Sequence, residues 1–194
     1  RRSSDLVEFV PYGDAEALAE AVDEETAAVF LEPVQGEGGV HPGGSEYLQT
    51  AREATEEAGA ALVLDEIQTG LGRTGTLWAC ENAGVVPDVL TTAKGLASGL
   101  PIGAALCADW VADEAGNHGS TFSGNPLVAA AAGATLTELV ENDVPEHAGE
   151  VGAYLQSELE TAVETHDLPV REVRGTGLMI GIEVKRGANR VLRD

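Results

Sequence analysis

The sequence predicts an α/β fold, a mostly parallel sheet with covering helices followed by the start of a smaller α+β unit. Three observations predict it. Short apolar runs of strand character alternate with longer stretches of helical period through the first two-thirds of the chain. The run Ala61-Leu62-Val63-Leu64 is continuously apolar up to a carboxylate, as a buried parallel strand reads. Beyond Pro126 the alternation gives way to long helical stretches and a final strand pair.

In chain order, Leu6–Val10 reads as a strand, and Asp14 is placed to cap a helix over Ala15–Val22. A strand at Ala27–Glu32, a helix at Glu46–Ala58 and a strand at Ala61–Asp65 follow. A short helix near Leu77–Ala83 precedes strands at Val89–Thr92 and Ala104–Ala108. Helices are expected over Leu127–Glu141 and Glu146–Glu164, with Pro126 and Pro145 near their starts, where the missing N–H has no intrahelical partner to lose. Strands Val170–Arg174 and Leu178–Val184 are parted by Gly175-Thr176-Gly177, a turn-like break. This predicts a boundary around residues 143–150: residues 1–145 are part of a large domain and residues 146–194 start a smaller C-terminal one.

At 194 residues the chain is long enough to bury a core of its own. Its 33 acidic against 11 basic residues give a net charge of −22, which repels nucleic acid and anionic lipid and excludes both as partners. The acids are spread over predicted helix faces, among them Glu16, Glu20, Glu53, Glu57, Glu158 and Glu164. Such a surface repels itself at low salt and is relieved when screening shortens to roughly 3 Å in about 1 M salt, so a halophilic cytoplasm is expected. Cys80 and Cys107 are the only cysteines, without a C-x-x-C pairing, which fits a reducing cytoplasmic setting. No run of about 18 apolar residues exists, and the opening Arg1-Arg2-Ser3-Ser4-Asp5 lacks a signal peptide's apolar region and an initiator methionine.

The chemistry gathers at two strand ends. Ligands in open α/β sheets sit outside the carboxyl ends of the strands, so topology aims Asp65 at a site; the alternative is that Asp65 or Glu66 caps the next element. Lys94 is one of only two lysines and lies in Thr91-Thr92-Ala93-Lys94-Gly95-Leu96-Ala97, just after an apolar run. Apolar surroundings would make its amine nucleophilic, as Schiff-base chemistry requires; a buried lysine paired with a carboxylate is the alternative. A carboxylate at one strand end and a lysine at the next are the two groups that pyridoxal phosphate asks of a protein.

The ordered blocks Leu64-Asp65-Glu66-Ile67-Gln68-Thr69-Gly70-Leu71-Gly72-Arg73-Thr74-Gly75, Pro87-Asp88, Ala93-Lys94-Gly95-Leu96, Gly99-Leu100-Pro101-Ile102-Gly103-Ala104, His118 to Pro126 and Arg174-Gly175-Thr176-Gly177-Leu178-Met179-Ile180-Gly181 resemble the class III aminotransferases. The resemblance implies the type I fold of pyridoxal-phosphate-dependent transferases, with pyridoxal 5'-phosphate as cofactor. It implies that Lys94 is the covalent and proton-moving lysine, that Asp65 pairs with the pyridine nitrogen and that Gln68 reaches the phenolic oxygen. Thr121, with Ser120 beside it, would bind the cofactor phosphate of a neighbouring subunit, making the active unit a homodimer; without the motif the pair reads as a polar turn before Pro126. In Glu32-Pro33-Val34-Gln35-Gly36-Glu37-Gly38-Gly39-Val40, the resemblance makes Glu37 a gate at the substrate entrance, with Glu32 ending the strand beside it; by itself the block is a glycine-rich turn with solvated acids. His41 and His118 have no metal-type spacing, and Trp78 reads as packing beneath the site.

The family's phosphate-cradling Ser-Gly-Thr loop, ring-stacking aromatic residue and both carboxylate-binding arginines have no counterpart in this sequence. A fragment is therefore expected, with an unpaired sheet edge and an exposed apolar face, and its acidity points to a haloarchaeon. Ser123 stands where the family commonly has glycine. Within the family the blocks look most like the acetylornithine and ornithine group. That implies transfer of the terminal amine of an N-protected ornithine to 2-oxoglutarate in arginine biosynthesis. An amino-group carrier protein could serve as the protecting group, and lysine biosynthesis could share the enzyme. The 4-aminobutyrate, ornithine and diaminopelargonate aminotransferases are alternatives, and Gln68 disfavours the glutamate-semialdehyde aminomutase. The alternative from another class is a non-catalytic, truncated domain acting as a binding partner.

Overall fold

The computed structural model describes residues 6–116 and 119–185. Helix α1 (Ala15–Ala21) is followed by β1 (Ala28–Leu31), the two-residue strands β2 (Val34–Gln35) and β3 (His41–Pro42), α2 (Gly44–Ala58) and β4 (Ala61–Asp65). Then come β5 (Val89–Thr92), β6 (Ala104–Cys107), α3 (Asp109–Glu114), α4 (Pro126–Glu141), α5 (Val144–Thr165), β7 (Val170–Thr176) and β8 (Met179–Val184). The main sheet has the order β1-β4-β5-β6, parallel except for β6. Strands β2 with β3 and β7 with β8 form two antiparallel ladders of their own.

Local chemistry sets the helix ends. The Asp14 carboxylate accepts the Ala17 N–H at 3.0 Å and starts α1. Helix α2 stops at Gly59, whose φ of 70° is the left-handed turn that glycine adopts without a Cβ penalty. Asn125 caps α4 by accepting the Val128 N–H at 3.2 Å, and Pro126 follows in the first turn.

Register decides which face of the sheet is core. Leu62 pairs with Val29, and Leu64 with Leu31 and Leu90, so these side chains share the face on which α2 lays Tyr47, Leu48 and Ala51. Leu62 and Leu64 are fully buried there, each contributing about 1.5–3 kcal/mol. The opposite face carries Phe30, Val63, Asp65 and Thr91; Phe30, at 74% exposed, has no cover among the described residues. At the amino end of the sheet the Asp88 carboxylate accepts the Leu62 N–H (2.8 Å), Arg52 Nη1 (2.8 Å) and Trp110 Nε1 (3.1 Å), tying α2, β4 and α3 together. Burial alone would raise the Asp88 pKa, but these donors hold it below the ordinary aspartate value.

The expected strand at Leu6–Val10 is not one. Among the described residues the segment pairs with no strand, and it holds Phe9 out at 91% exposed; apolar residues alone do not make a strand, which also needs a ladder partner. The helix expected near Leu77–Ala83 is a 3-10 turn over Ala79–Ala83. The β2–β3 ladder and α3 were not foreseen, being too short to carry a period. Ser123 is unstrained, because the left-handed conformation of its turn falls on Gly124 at φ 61°.

Candidate functional site

Strands β4 and β5 run side by side with Asp65 opposite Thr91, three residues ahead of Lys94. Neighbouring strands are about 4.8 Å apart and three residues add at most about 11 Å, so the two Cα atoms lie within roughly 16 Å. The Glu66 N–H donates to the Thr91 carbonyl at 2.9 Å and carries the register past the strand ends.

Asp65 and Glu66 divide the two roles that the sequence left open. Glu66 is completely buried, and its carboxylate accepts the N–H groups of Ala79 (3.0 Å) and Cys80 (2.9 Å) and the Thr69 hydroxyl, capping the 3-10 turn. Burial, then the charge and hydrogen bonding of Glu66, push the Cys80 thiol up to about 12. Asp65 is exposed at the end of β4; its Oδ1 accepts the Ile67 N–H at 3.0 Å, and its other oxygen has no hydrogen bond among the described residues.

Lys94 opens a 3-10 turn over Lys94–Ala97 with φ at 44°, a conformation disfavoured for a residue with a Cβ. The turn is held by Leu96 and Ala97 packing on Ala132 of α4 and by the Ser98 and Thr135 hydroxyls at 3.0 Å. Lys94 itself is exposed, which corrects the expectation of apolar surroundings: the hydrophobic neighbours in sequence turn to α4 and leave the amine outside.

Next to this edge lies an open cleft whose lining includes Gly36, Glu37, Gln68, Arg73, Met179 and Ile180. Gln68 Nε2 donates to Glu37 Oε1 at 3.4 Å. The Gln68 side chain crosses Gly36 so closely that a Cβ there would sit 2.6 Å from its Oε1, so a side chain at this position would push the Gln68 amide aside. Glu32 closes the same loop by accepting the Gly36 N–H at 3.4 Å, while the hydroxyl of the half-buried Tyr12 donates to the Glu32 and Pro33 carbonyls at 2.8 and 3.1 Å. Burial, then Tyr47 and Glu32, raise the Tyr12 pKa.

Glu37 and Gln68 therefore meet directly, Glu32 joins them through Gly36, and Asp65 and Lys94 stand at adjacent strand ends. Ser120 and Thr121 are exposed and make no hydrogen bond among the described residues to any of these. Trp78 packs against the core and over Gly70, as a packing residue would. His118 lies outside the described residues. The sequence reading missed Arg174, whose guanidinium reaches the Glu37 loop across 134 residues; its place in the Arg174–Gly181 block was the available signal.

A carboxylate and a lysine at the ends of neighbouring strands, with an amide in the turn after the first, are residue types that suit a heteroaromatic, aldehyde-bearing cofactor. The comparisons with known proteins agree. Residues 8–193 match the family model for aminotransferase class III. The chain is 51% identical over 181 residues to the [LysW]-aminoadipate semialdehyde transaminase of Deinococcus radiodurans, covering 92% of this chain and 42% of that protein. It is 49% identical to the acetylornithine aminotransferase of Methanothermobacter thermautotrophicus, covering 90% of this chain and 45% of that protein. Among solved structures, the ornithine aminotransferase of Toxoplasma gondii superposes with a TM-score of 0.86 at 42% identity, over 91% of this chain and 42% of that one. The acetylornithine aminotransferase of Elizabethkingia anophelis superposes equally well, TM-score 0.86, at 37% identity over 91% and 45%. The chain thus spans less than half the length of these relatives and shares their α/β fold. With a family match over nearly its whole length and identities near one-half to named transaminases, the chain belongs to the class III aminotransferases.

Proposed function

We propose that the protein transfers the terminal amine of an N-protected ornithine, acetylated or carrier-bound, to 2-oxoglutarate in arginine or lysine biosynthesis, as a cytoplasmic homodimer dependent on pyridoxal 5'-phosphate. The observation that supports this reading is that Asp65 ends β4 opposite Thr91 of the parallel neighbour β5, three residues before Lys94, with Gln68 in the turn after Asp65. Residues 1–145 are taken as part of the cofactor-binding domain and 146–194 as the start of the small one.

The cofactor, when bound, supplies an electron sink for the carbon that loses its amine. The Lys94 amine would hold it covalently and afterwards carry the proton between the two carbons that exchange it. The free oxygen of Asp65 would keep a proton on the ring nitrogen, its carboxylate aimed by the Ile67 N–H. Gln68 would reach the phenolic oxygen, Thr121 and Ser120 the phosphate held by a partner protomer. Glu37, with Glu32 behind it, would govern which substrate end enters the cleft.

The relatives named above carry the names of a [LysW]-aminoadipate semialdehyde transaminase, an acetylornithine aminotransferase and an ornithine aminotransferase, so the deciding experiment is competition. Glutamate formation from 2-oxoglutarate is measured with acetylornithine, with carrier-bound ornithine or aminoadipate-derived amine, and with 4-aminobutyrate. A preference for either of the first two supports the reading; a preference for 4-aminobutyrate overturns it. The uncovered sheet face at Phe30 favours a second reading, a non-catalytic domain that binds a full-length homologue. Association with the homologue and no cofactor absorbance would support that one.

A further inference from the structure

The β7–β8 hairpin touches the Glu37 loop and the Gln68 turn at two points. At its tip the Leu178 N–H donates to the Arg73 carbonyl at 2.9 Å, and a Cβ on Gly177 would fall 2.6 Å from the Thr74 carbonyl carbon. At its middle, Arg174 Nε donates to the carbonyls of Gly39 (3.0 Å) and Val40 (3.1 Å). Arg174 Nη1 is itself fixed by Glu172 and Glu183, each at 2.8 Å, and its Nη2 lies 3.4 Å from His41 Nε2. Beside it, Gly181 leaves room for Val40, whose Cβ would stand 2.9 Å from a Cβ placed on that glycine.

Val40 is β-branched and holds φ at 58°, a conformation that persists only where the surroundings enforce it. Those surroundings are the Arg174 Nε–H on its carbonyl and the Gly181 gap under its side chain. The loop that is held this way carries Glu37 to Gln68. We propose that Arg174 is a positioning residue for the substrate entrance, clamping the Gly36–Val40 loop to the hairpin so that Glu37 faces Gln68 across the cleft. This rests on the reading of that cleft as the entrance.

The test uses the whole protein with its cofactor and compares it with Arg174→Gln. Amide hydrogen exchange across residues 36–41 is expected to quicken about tenfold while Ala61–Asp65 stays unchanged. The KM for the amine donor is expected to rise about fivefold with kcat nearly kept, since the loop touches binding and not the reacting atoms. Arg174→Lys keeps the charge but loses the planar fork, so it should restore the exchange rate only in part. Unchanged exchange at 36–41, or full restoration by lysine, overturns the proposal. Should the glutamine variant fail to fold, the lysine variant carries the same exchange comparison. A protein that binds no cofactor would refute the functional reading instead, and leave the exchange result readable.

Discussion

Asp65 and Glu66 are consecutive in the chain and face opposite ways, the first exposed at the end of β4, the second sealed beneath the following turn with its carboxylate on the Ala79 and Cys80 N–H groups. The buried acid anchors the turn, while among the described residues the exposed one accepts only the Ile67 N–H, at 3.0 Å.

Removing that anchor should cost stability before chemistry. Glu66→Ala leaves the Ala79 and Cys80 N–H groups buried without acceptors, and a loss of about 2–5 kcal/mol is expected. Glu66→Gln keeps one acceptor oxygen and should lose about 1–3 kcal/mol. Urea titration checks both; an alanine variant as stable as the parent would mean that Glu66 anchors nothing.

Gly36→Ala tests the contact between the two loops. The added methyl would occupy the place of the Gln68 amide, displacing Gln68 from Glu37. A fall of about tenfold in kcat/KM is expected, with the unfolding midpoint little changed on the exposed loop. The pair is read from steady-state kinetics and a melting curve on the same sample.

Asp88 and Cys80 contribute to the pH dependence of stability in opposite directions. Asp88 has its folded pKa lowered, so its contribution is present above the ordinary value of 3.8 and is lost as pH falls through the folded value. Asp88→Asn should flatten the acid limb of the stability curve. Cys80 has its folded pKa raised from 9.0 to about 12, so the neutral thiol's contribution is full below 9 and declines between the two values. Cys80→Ala should flatten the alkaline limb, and a thiol reagent at neutral pH should label the exposed Cys107 and spare Cys80.

A net charge of −22 sets the salt dependence. Screening falls from about 10 Å at 0.1 M to about 3 Å at 1 M, so the unfolding temperature should rise steadily with potassium chloride. Sucrose at matched osmolarity should not reproduce the rise. A flat or falling curve in salt would remove the halophilic reading.

Strands β4 and β5 were legible to the residue, because a run of Leu and Val ending at a carboxylate or a lysine turn declares both a buried strand and its carboxyl end. Topology aimed Asp65 out of the strand end but left open whether Asp65 or Glu66 caps the next element, and the structure gives the cap to Glu66. Leu6–Val10 misled because apolar spacing is local while a ladder partner is not. The same limit hid Arg174: its charge is visible in the sequence, but its acceptors at Gly39 and Val40 come from the other end of the chain. Apolar surroundings were expected for Lys94, which instead stands exposed, since Leu96 and Ala97 turn to pack on α4.

Lys94 is the residue on which the proposed chemistry turns. In the whole protein with its cofactor, borohydride reduction should abolish the visible absorbance and leave a cofactor-bearing peptide that contains Lys94 and no other lysine; in Lys94→Ala the absorbance should survive only as dialysable cofactor, without turnover. A reduced cofactor found on another residue, or substantial transamination by the alanine variant, would contradict it.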